Sequence, residues 1–138
     1  MTEQIPPPQI TNPKRPILIV DDNPDVTESI AIGLEIAFQD RVVLREYNGN
    51  KALETYQKHR PLVSIVDAML PGRSGYSVLE KIKDLDPDAI KFKRVIMITG
   101  NRGIRHKLYG ERLGARAYLF KPVKLETLIS LTKEIIEE

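Results

Sequence analysis

The chain has 138 residues, and its 21 Lys+Arg against 19 Asp+Glu leave a formal charge of +2, so no global field draws it to nucleic acid or to an anionic membrane. An apolar fraction of 41% with 29% charged residues excludes an intrinsically disordered chain, and the length accommodates one domain with a sizeable core. The absence of cysteine removes disulfides, thiolate metal sites and cysteine nucleophiles, and no apolar run reaches bilayer length, so a soluble cytoplasmic protein is expected.

Five of the ten prolines fall in the first sixteen residues (Pro6, Pro7, Pro8, Pro13, Pro16), where they favour extended, solvated backbone. Residues 1–15 are therefore read as a flexible tail and residues 16–138 as the domain. Short β-branched runs then alternate with longer segments of helical period. The strands are predicted at 17–20, 42–46, 62–66, 95–98 and 117–120, and the helices at about 24–38, 49–59, 75–84, 103–112 and 124–136. Gly114, just past the fourth helix, suits the left-handed conformation that ends a helix.

This (βα)5 pattern specifies an α/β domain. Strands joined by helices run parallel, and right-handed crossovers place helices on both faces of a doubly wound, flavodoxin-like five-stranded sheet. The continuous apolar runs ILIV and VIMI suit central strands covered on both sides. In such a sheet, functional groups collect beyond the carboxyl ends of the strands.

The first strand delivers Asp21 and Asp22, the third Asp67, the fourth Thr99, and the fifth Lys121 followed by Pro122. Three converging carboxylates repel one another unless some are protonated or a hard divalent cation lies among them, and Mg2+ (or Mn2+) is the natural candidate. A carboxylate can attack phosphorus if a cation and an ammonium group offset the negative charges. Lys121 supplies the ammonium, and Thr99 a hydroxyl able to bond a phosphoryl oxygen.

The segments LIVDDN, DAMLPGRSG, MITG and YLFKP, in that order across residues 16–137, resemble the receiver domain of two-component response regulators. The resemblance implies that Asp67 is the phosphoacceptor and Asp22 a direct metal ligand, with Asp21 assisting through water and the Met69 backbone carbonyl as a third ligand. It implies Lys121 as the phosphoryl-binding lysine, Thr99 as the switch hydroxyl and Tyr118 as the aromatic that rotates with it. The Lys121–Pro122 bond is typically cis in that family, which aims the lysine into the site. The implied donor is a sensor histidine kinase or a histidine phosphotransfer domain. The implied output is a downstream protein bound at the surface around the fourth helix, fifth strand and last helix, with the chain a monomer or a weak, phosphorylation-dependent dimer. Beyond slow self-dephosphorylation, no enzyme activity is implied. Met69 and Asn101 occupy positions that resemble the family's lifetime-tuning sites. Since a methionine side chain cannot hold a water as a polar one can, a long-lived phosphoryl group is expected. Gly100 leaves room beside the site.

Each of these residues also has an ordinary role to weigh. Asp22 and Asn23 precede Pro24 as helix-capping residues do. Lys121 alone is a solvated lysine, Thr99 a strand-end hydroxyl and Tyr118 sheet packing. Asp84, Asp86 and Asp88 alternate like a calcium loop but lack its glycine and closing glutamate, so a solvated turn is expected. Arg102, Arg105, Lys107, Arg112 and Arg116 form a solvated helix face or, alternatively, a partner patch. On the first helix, Ile30 and Leu34 share one face while Ile32 and Ile36 lie roughly opposite, where the resemblance places the docking surface for the phosphodonor; the alternative is that both pairs are buried. Glu134, Glu137 and Glu138 oppose the macrodipole of the last helix, which predicts fraying there.

Two other readings share part of this pattern. A phosphatase of the haloacid dehalogenase type forms an aspartyl phosphate on a parallel sheet, but its second aspartate lies two positions after the nucleophile, whereas Asp21 and Asp22 are adjacent and Asn23 follows. A receiver that is never phosphorylated would serve as a constitutive dock; the complete acidic set, with Thr99 and Lys121, argues against it. The sequence ends after the last helix, so the chain is expected to act through a partner or to be a receiver separated from an output domain.

Overall fold

The apolar runs form β1 (Ile17–Val20), β2 (Val43–Glu46), β3 (Val63–Asp67), β4 (Val95–Thr99) and β5 (Ala117–Phe120) in the computed structural model, which describes residues 14–100 and 103–138. All neighbouring strands pair in parallel, in the order β2-β1-β3-β4-β5. The helices are α1 (Pro24–Ala37), α2 (Gly49–His59), α3 (Gly75–Leu85), α4 (Pro87–Lys91), α5 (Ile104–Arg112) and α6 (Leu125–Glu137). The expected (βα)5 plan is thus realised, with α4 added.

Strand alternation divides the core between the two faces. Ile17 and Ile19 of β1 pack with Ile30 and Leu34 of α1 and Leu128 and Ile135 of α6, while Leu18 and Val20 pack with Ala52 and Tyr56 of α2 and Val78, Leu79 and Ile82 of α3. Because the chain builds β2 on one side of β1 and β3 on the other, the connections diverge between β1 and β3, and a crevice opens there. Val20 pairs with Val66, so the residues that follow them, Asp21 and Asp67, leave the sheet side by side.

Several local expectations change. The stretch around Asp86 is not a solvated turn. Pro87 occupies the first turn of α4, as Pro24 does in α1, and Asp86 is half-buried. Its carboxylate accepts from the Tyr56 hydroxyl at 2.8 Å and from the Arg15 guanidinium at 3.2 Å. Arg15 also donates to the carbonyls of Arg60 and Pro61, so the last residue of the stretch read as a tail is fastened to the domain; residues 1–13 lie outside the described residues. The end of α6 is held by Arg116, whose guanidinium meets Glu138 at 2.6 Å and Glu134 at 3.6 Å while donating to the carbonyls of Phe92 and Lys93. These bonds offset the unfavourable macrodipole and oppose the expected fraying. They also remove Arg116 from the basic face, on which Arg105 and Arg112 remain exposed and Arg102 lies outside the described residues. Gly114 takes φ 105°, as expected for a residue that ends a helix. On α1, Ile30 and Leu34 are buried whereas Ile32 is 48% and Ile36 68% exposed, so the alternative in which both pairs are buried fails.

Tyr56 is the polar joint of the lower core. Burial, reinforced by its bond to Asp86, pushes its phenol well above the ordinary value of 10.0. A raised phenol contributes stability that is complete below pH 10 and lost as pH rises further. Tyr56→Phe is therefore expected to cost about 1 kcal/mol in urea unfolding at pH 7 and to flatten the decline in stability above pH 10.

Candidate functional site

The helix cap and the candidate metal ligand, indistinguishable in sequence, separate in space. Asn23 is the cap of α1: its side chain accepts from the backbone N–H groups of Asp25 at 3.0 Å and Val26 at 3.3 Å. Asp22 is thereby left with an exposed carboxylate. Asp21 is fully buried; its Oδ1 accepts from the Asn23 N–H at 2.9 Å, and its carbonyl from the Thr27 hydroxyl at 2.7 Å.

Asp67 is the last residue of β3 and is buried. The loop after it folds back tightly, with the Gly75 N–H donating to the Ala68 carbonyl at 3.0 Å. A β-carbon on Gly75 would come within 2.1 Å of the Asp67 carbonyl oxygen, so only glycine lets α3 begin against the backbone of this aspartate. Asp67 Oδ1 accepts from the Met69 N–H at 2.9 Å, which fixes the carboxylate plane; the Met69 side chain is 58% exposed beside it.

Lys121 reaches this pair from the carboxyl end of β5, the strand at one side of the sheet. β5 positions it, since Phe120 pairs with Thr99 and the Lys121 N–H donates to the Thr99 carbonyl at 2.7 Å. The Lys121–Pro122 peptide is cis. Lys121 Nζ lies 2.6 Å from Asp67 Oδ2 and 2.7 Å from Asp21 Oδ2. The second contact is an ion pair off the direction of a hydrogen bond, and among the described residues the fully buried Asp21 Oδ2 accepts no hydrogen bond. Burial pushes the Asp67 carboxyl above the ordinary value of 3.8, against the opposing pull of Lys121 and the Met69 N–H. Burial works to lower Lys121, but its bonds to Asp21 and Asp67 outweigh it and hold the ammonium above 10.5.

Thr99, the last residue of β4, is fully buried, and a β-carbon at the neighbouring Gly100 would meet none of the described residues within 4 Å, which leaves the room expected there. Tyr118 points inward and is only 4% exposed. Its hydroxyl is hydrogen-bonded to that of Tyr76, a residue that sequence reasoning missed; the only signal in the sequence was an aromatic directly after Gly75. Asn101, the second candidate for tuning, lies outside the described residues.

The residues fit a hard divalent cation. Asp21, Asp22 and Asp67 each offer a carboxylate oxygen, these oxygens lie within 4.8 Å of one another, and the buried Oδ2 of Asp21, ion-paired to Lys121 but accepting no hydrogen bond among the described residues, retains acceptor capacity. At an effective dielectric of about 20, two unit negative charges at that separation repel by about 3 kcal/mol, so one lysine leaves the cluster under-neutralised.

A family model for the response regulator receiver domain matches residues 17–133, and the chain belongs to that family. Among curated relatives, the protein PilH of Pseudomonas aeruginosa is 33% identical over 121 residues, covering 87% of this chain and 96% of PilH. The regulatory protein VanR of Enterococcus faecium is 33% identical over 117 residues, covering 85% of this chain, but the match spans only 48% of VanR. The BeF3-activated receiver domain of DrrB, from Thermotoga maritima, superimposes with a TM-score of 0.79 at 27% identity, covering 91% of this chain and 99% of that one. The chain is therefore a signalling-switch domain of two-component systems rather than an enzyme of the phosphatase class. Among the described residues, no helix is long and apolar enough to cross a membrane.

Proposed function

We propose that the chain accepts a phosphoryl group on Asp67 from a phosphohistidine of a sensor histidine kinase or a histidine phosphotransfer domain, and passes the signal on by changing its protein-binding surface. The observation that carries this reading is the position of Lys121, whose ammonium contacts the carboxylates of both Asp67 and Asp21 while Asp22 stands beside them.

An oxygen of Asp67 attacks phosphorus in line, the phosphorus–nitrogen bond to the donor imidazole breaks, and the imidazole leaves as the electron pair returns to its ring. Lys121, already charged and in contact with Asp67, moves its ammonium onto the incoming phosphoryl oxygens. Asp22, Asp67 and the Met69 carbonyl, with Asp21 assisting through water, would hold a divalent cation, Mg2+ or Mn2+, which would supply the remaining charge neutralisation. Thr99 donates its hydroxyl to a phosphoryl oxygen, and its movement, with that of Tyr118, alters the surface formed by α5, β5 and α6. A downstream protein binds there, with the chain a monomer or a weak phosphorylation-dependent dimer. The cytoplasm, where phosphohistidine donors act, is the compartment this reading requires. The chain covers nearly all of PilH and about half of VanR.

The donor docks on the outer face of α1, where Ile32 and Ile36 are exposed. The aspartyl phosphate is long-lived because Met69, two residues after Asp67 and 58% exposed, has a side chain that holds no attacking water.

Incubation with acetyl phosphate and Mg2+ is expected to add the mass of one phosphoryl group to the wild type and none to Asp67→Asn; an equal gain by both removes Asp67 from the role. In Met69→Asn the phosphoryl group is expected to decay several-fold faster, and an unchanged or slower decay contradicts the account of its lifetime. Ile32→Glu is expected to reduce transfer from the cognate kinase at least tenfold while leaving acetyl phosphate labelling unchanged, because a buried charge at an interface centre costs more than 1.4 kcal/mol. Full transfer from that kinase to a folded Ile32→Glu protein excludes α1 as the docking face.

A further inference from the structure

Tyr76 stands one residue after Gly75, on the helix whose first turn abuts Asp67. Its ring lies nearly parallel to that of Tyr118, with centroids 6.4 Å apart and planes 15° apart, and the two hydroxyls share a hydrogen bond. On its other sides Tyr76 stacks on His106 at 6.1 Å and meets Tyr109 edge-on at 5.2 Å, both residues of α5. The Tyr109 hydroxyl donates to Glu80 of α3 at 2.8 Å, a second tie between the same two helices. Tyr118 is closed in from behind by Phe120, edge-on at 5.8 Å, and by Gly110, where a β-carbon would come within 2.7 Å of its ring.

The Tyr118 hydroxyl is the polar end of a side chain otherwise held among apolar groups. Turned inward, it needs a partner; turned outward, it has water. Tyr76 supplies the inward partner, and burial together with that bond raises its own phenol, so it stays protonated at neutral pH. We propose that Tyr76 is a positioning residue that holds Tyr118 inward before any phosphoryl group arrives, so that the resting balance of the β5–α5 surface is set from α3. This rests on the reading of Tyr118 as the movable aromatic of a phosphorylation switch. Any contact that favours the inward arrangement is thermodynamically coupled to a phosphoryl group that favours the same arrangement, and each strengthens the other by one factor. The net value of one neutral hydrogen bond sets that factor at about two- to tenfold.

Tyr76→Phe keeps the ring stack and removes only the hydroxyl. The test places 3-fluorotyrosine at position 118 in wild type and in Tyr76→Phe and records fluorine spectra in H2O and D2O, followed by titration with beryllofluoride and Mg2+. The wild type is expected to give a resonance with little solvent isotope shift. In Tyr76→Phe that shift grows, exchange broadening appears, and the beryllofluoride midpoint rises by about two- to tenfold. A fluorine resonance and a midpoint that both stay unchanged in a folded Tyr76→Phe protein overturn the proposal. A residue serving only to fill space would move neither, since the ring is retained. Failure of the receiver reading is scored separately: a wild type that gains no phosphoryl mass from acetyl phosphate sinks that reading, while the fluorine comparison without beryllofluoride still decides the role of Tyr76.

Discussion

The ammonium of Lys121, wedged between the carboxylates of Asp21 and Asp67, is the contact on which the rest of this molecule turns. Two buried aspartates and a third at the rim stand close enough to repel one another by several kcal/mol at an effective dielectric of about 20. A domain whose stability is of the order of 10 kcal/mol does not hold such a cluster without a compensating charge. The lysine offsets part of that repulsion and leaves a remainder that a divalent cation is suited to neutralise. In the proposed phosphoacceptor role, the same shortfall is what would make phosphorylation depend on cations.

The fold exists, in functional terms, to deliver these groups from separate strands. Parallel pairing brings every carboxyl end to one edge, and the divergence of the connections between β1 and β3 sets Asp21 beside Asp67. The Thr99–Phe120 pairing carries Lys121 to the same edge. Apolar packing on both faces keeps the strands in register, so the geometry of the acidic cluster is fixed by residues such as Ile19, Ile65 and Ile98, which carry no charge of their own. Gly75 makes the closest such demand, since its missing side chain lets α3 start against the Asp67 backbone.

Much of this was legible in sequence because it depends on local pattern. The β-branched runs gave all five strands to within one residue at each end, and the polar residues at their carboxyl ends, Asp21, Asp22, Asp67 and Lys121, are the ones the structure brings together. What sequence reasoning missed depends on partners remote in the chain. Asp86 looked like part of a solvated turn because its partners, Tyr56 and Arg15, are distant in sequence, although Asp86-Pro87 carried the same helix-start signal as Asn23-Pro24. Arg116 looked like one charge in a basic stretch because its acidic partners come from the end of α6. Adjacent Asx residues before Pro24 could not be divided into cap and ligand until the side chain of Asn23 was seen to bond the first turn of α1. Tyr76 was passed over because an aromatic at the start of an amphipathic helix reads as packing, and its meaning comes from a hydroxyl on β5.

The most direct test of the central claim is to identify the residue that bears phosphorus. Borohydride reduces an aspartyl phosphate to homoserine and leaves free carboxylates intact. After phosphorylation in Mg2+ and reduction, peptide mapping is expected to find homoserine at position 67 alone, and to find none when Lys121 is replaced by alanine or the cation is chelated. Homoserine at position 21 or 22, or at 67 without regard to Lys121 and the cation, would contradict the account.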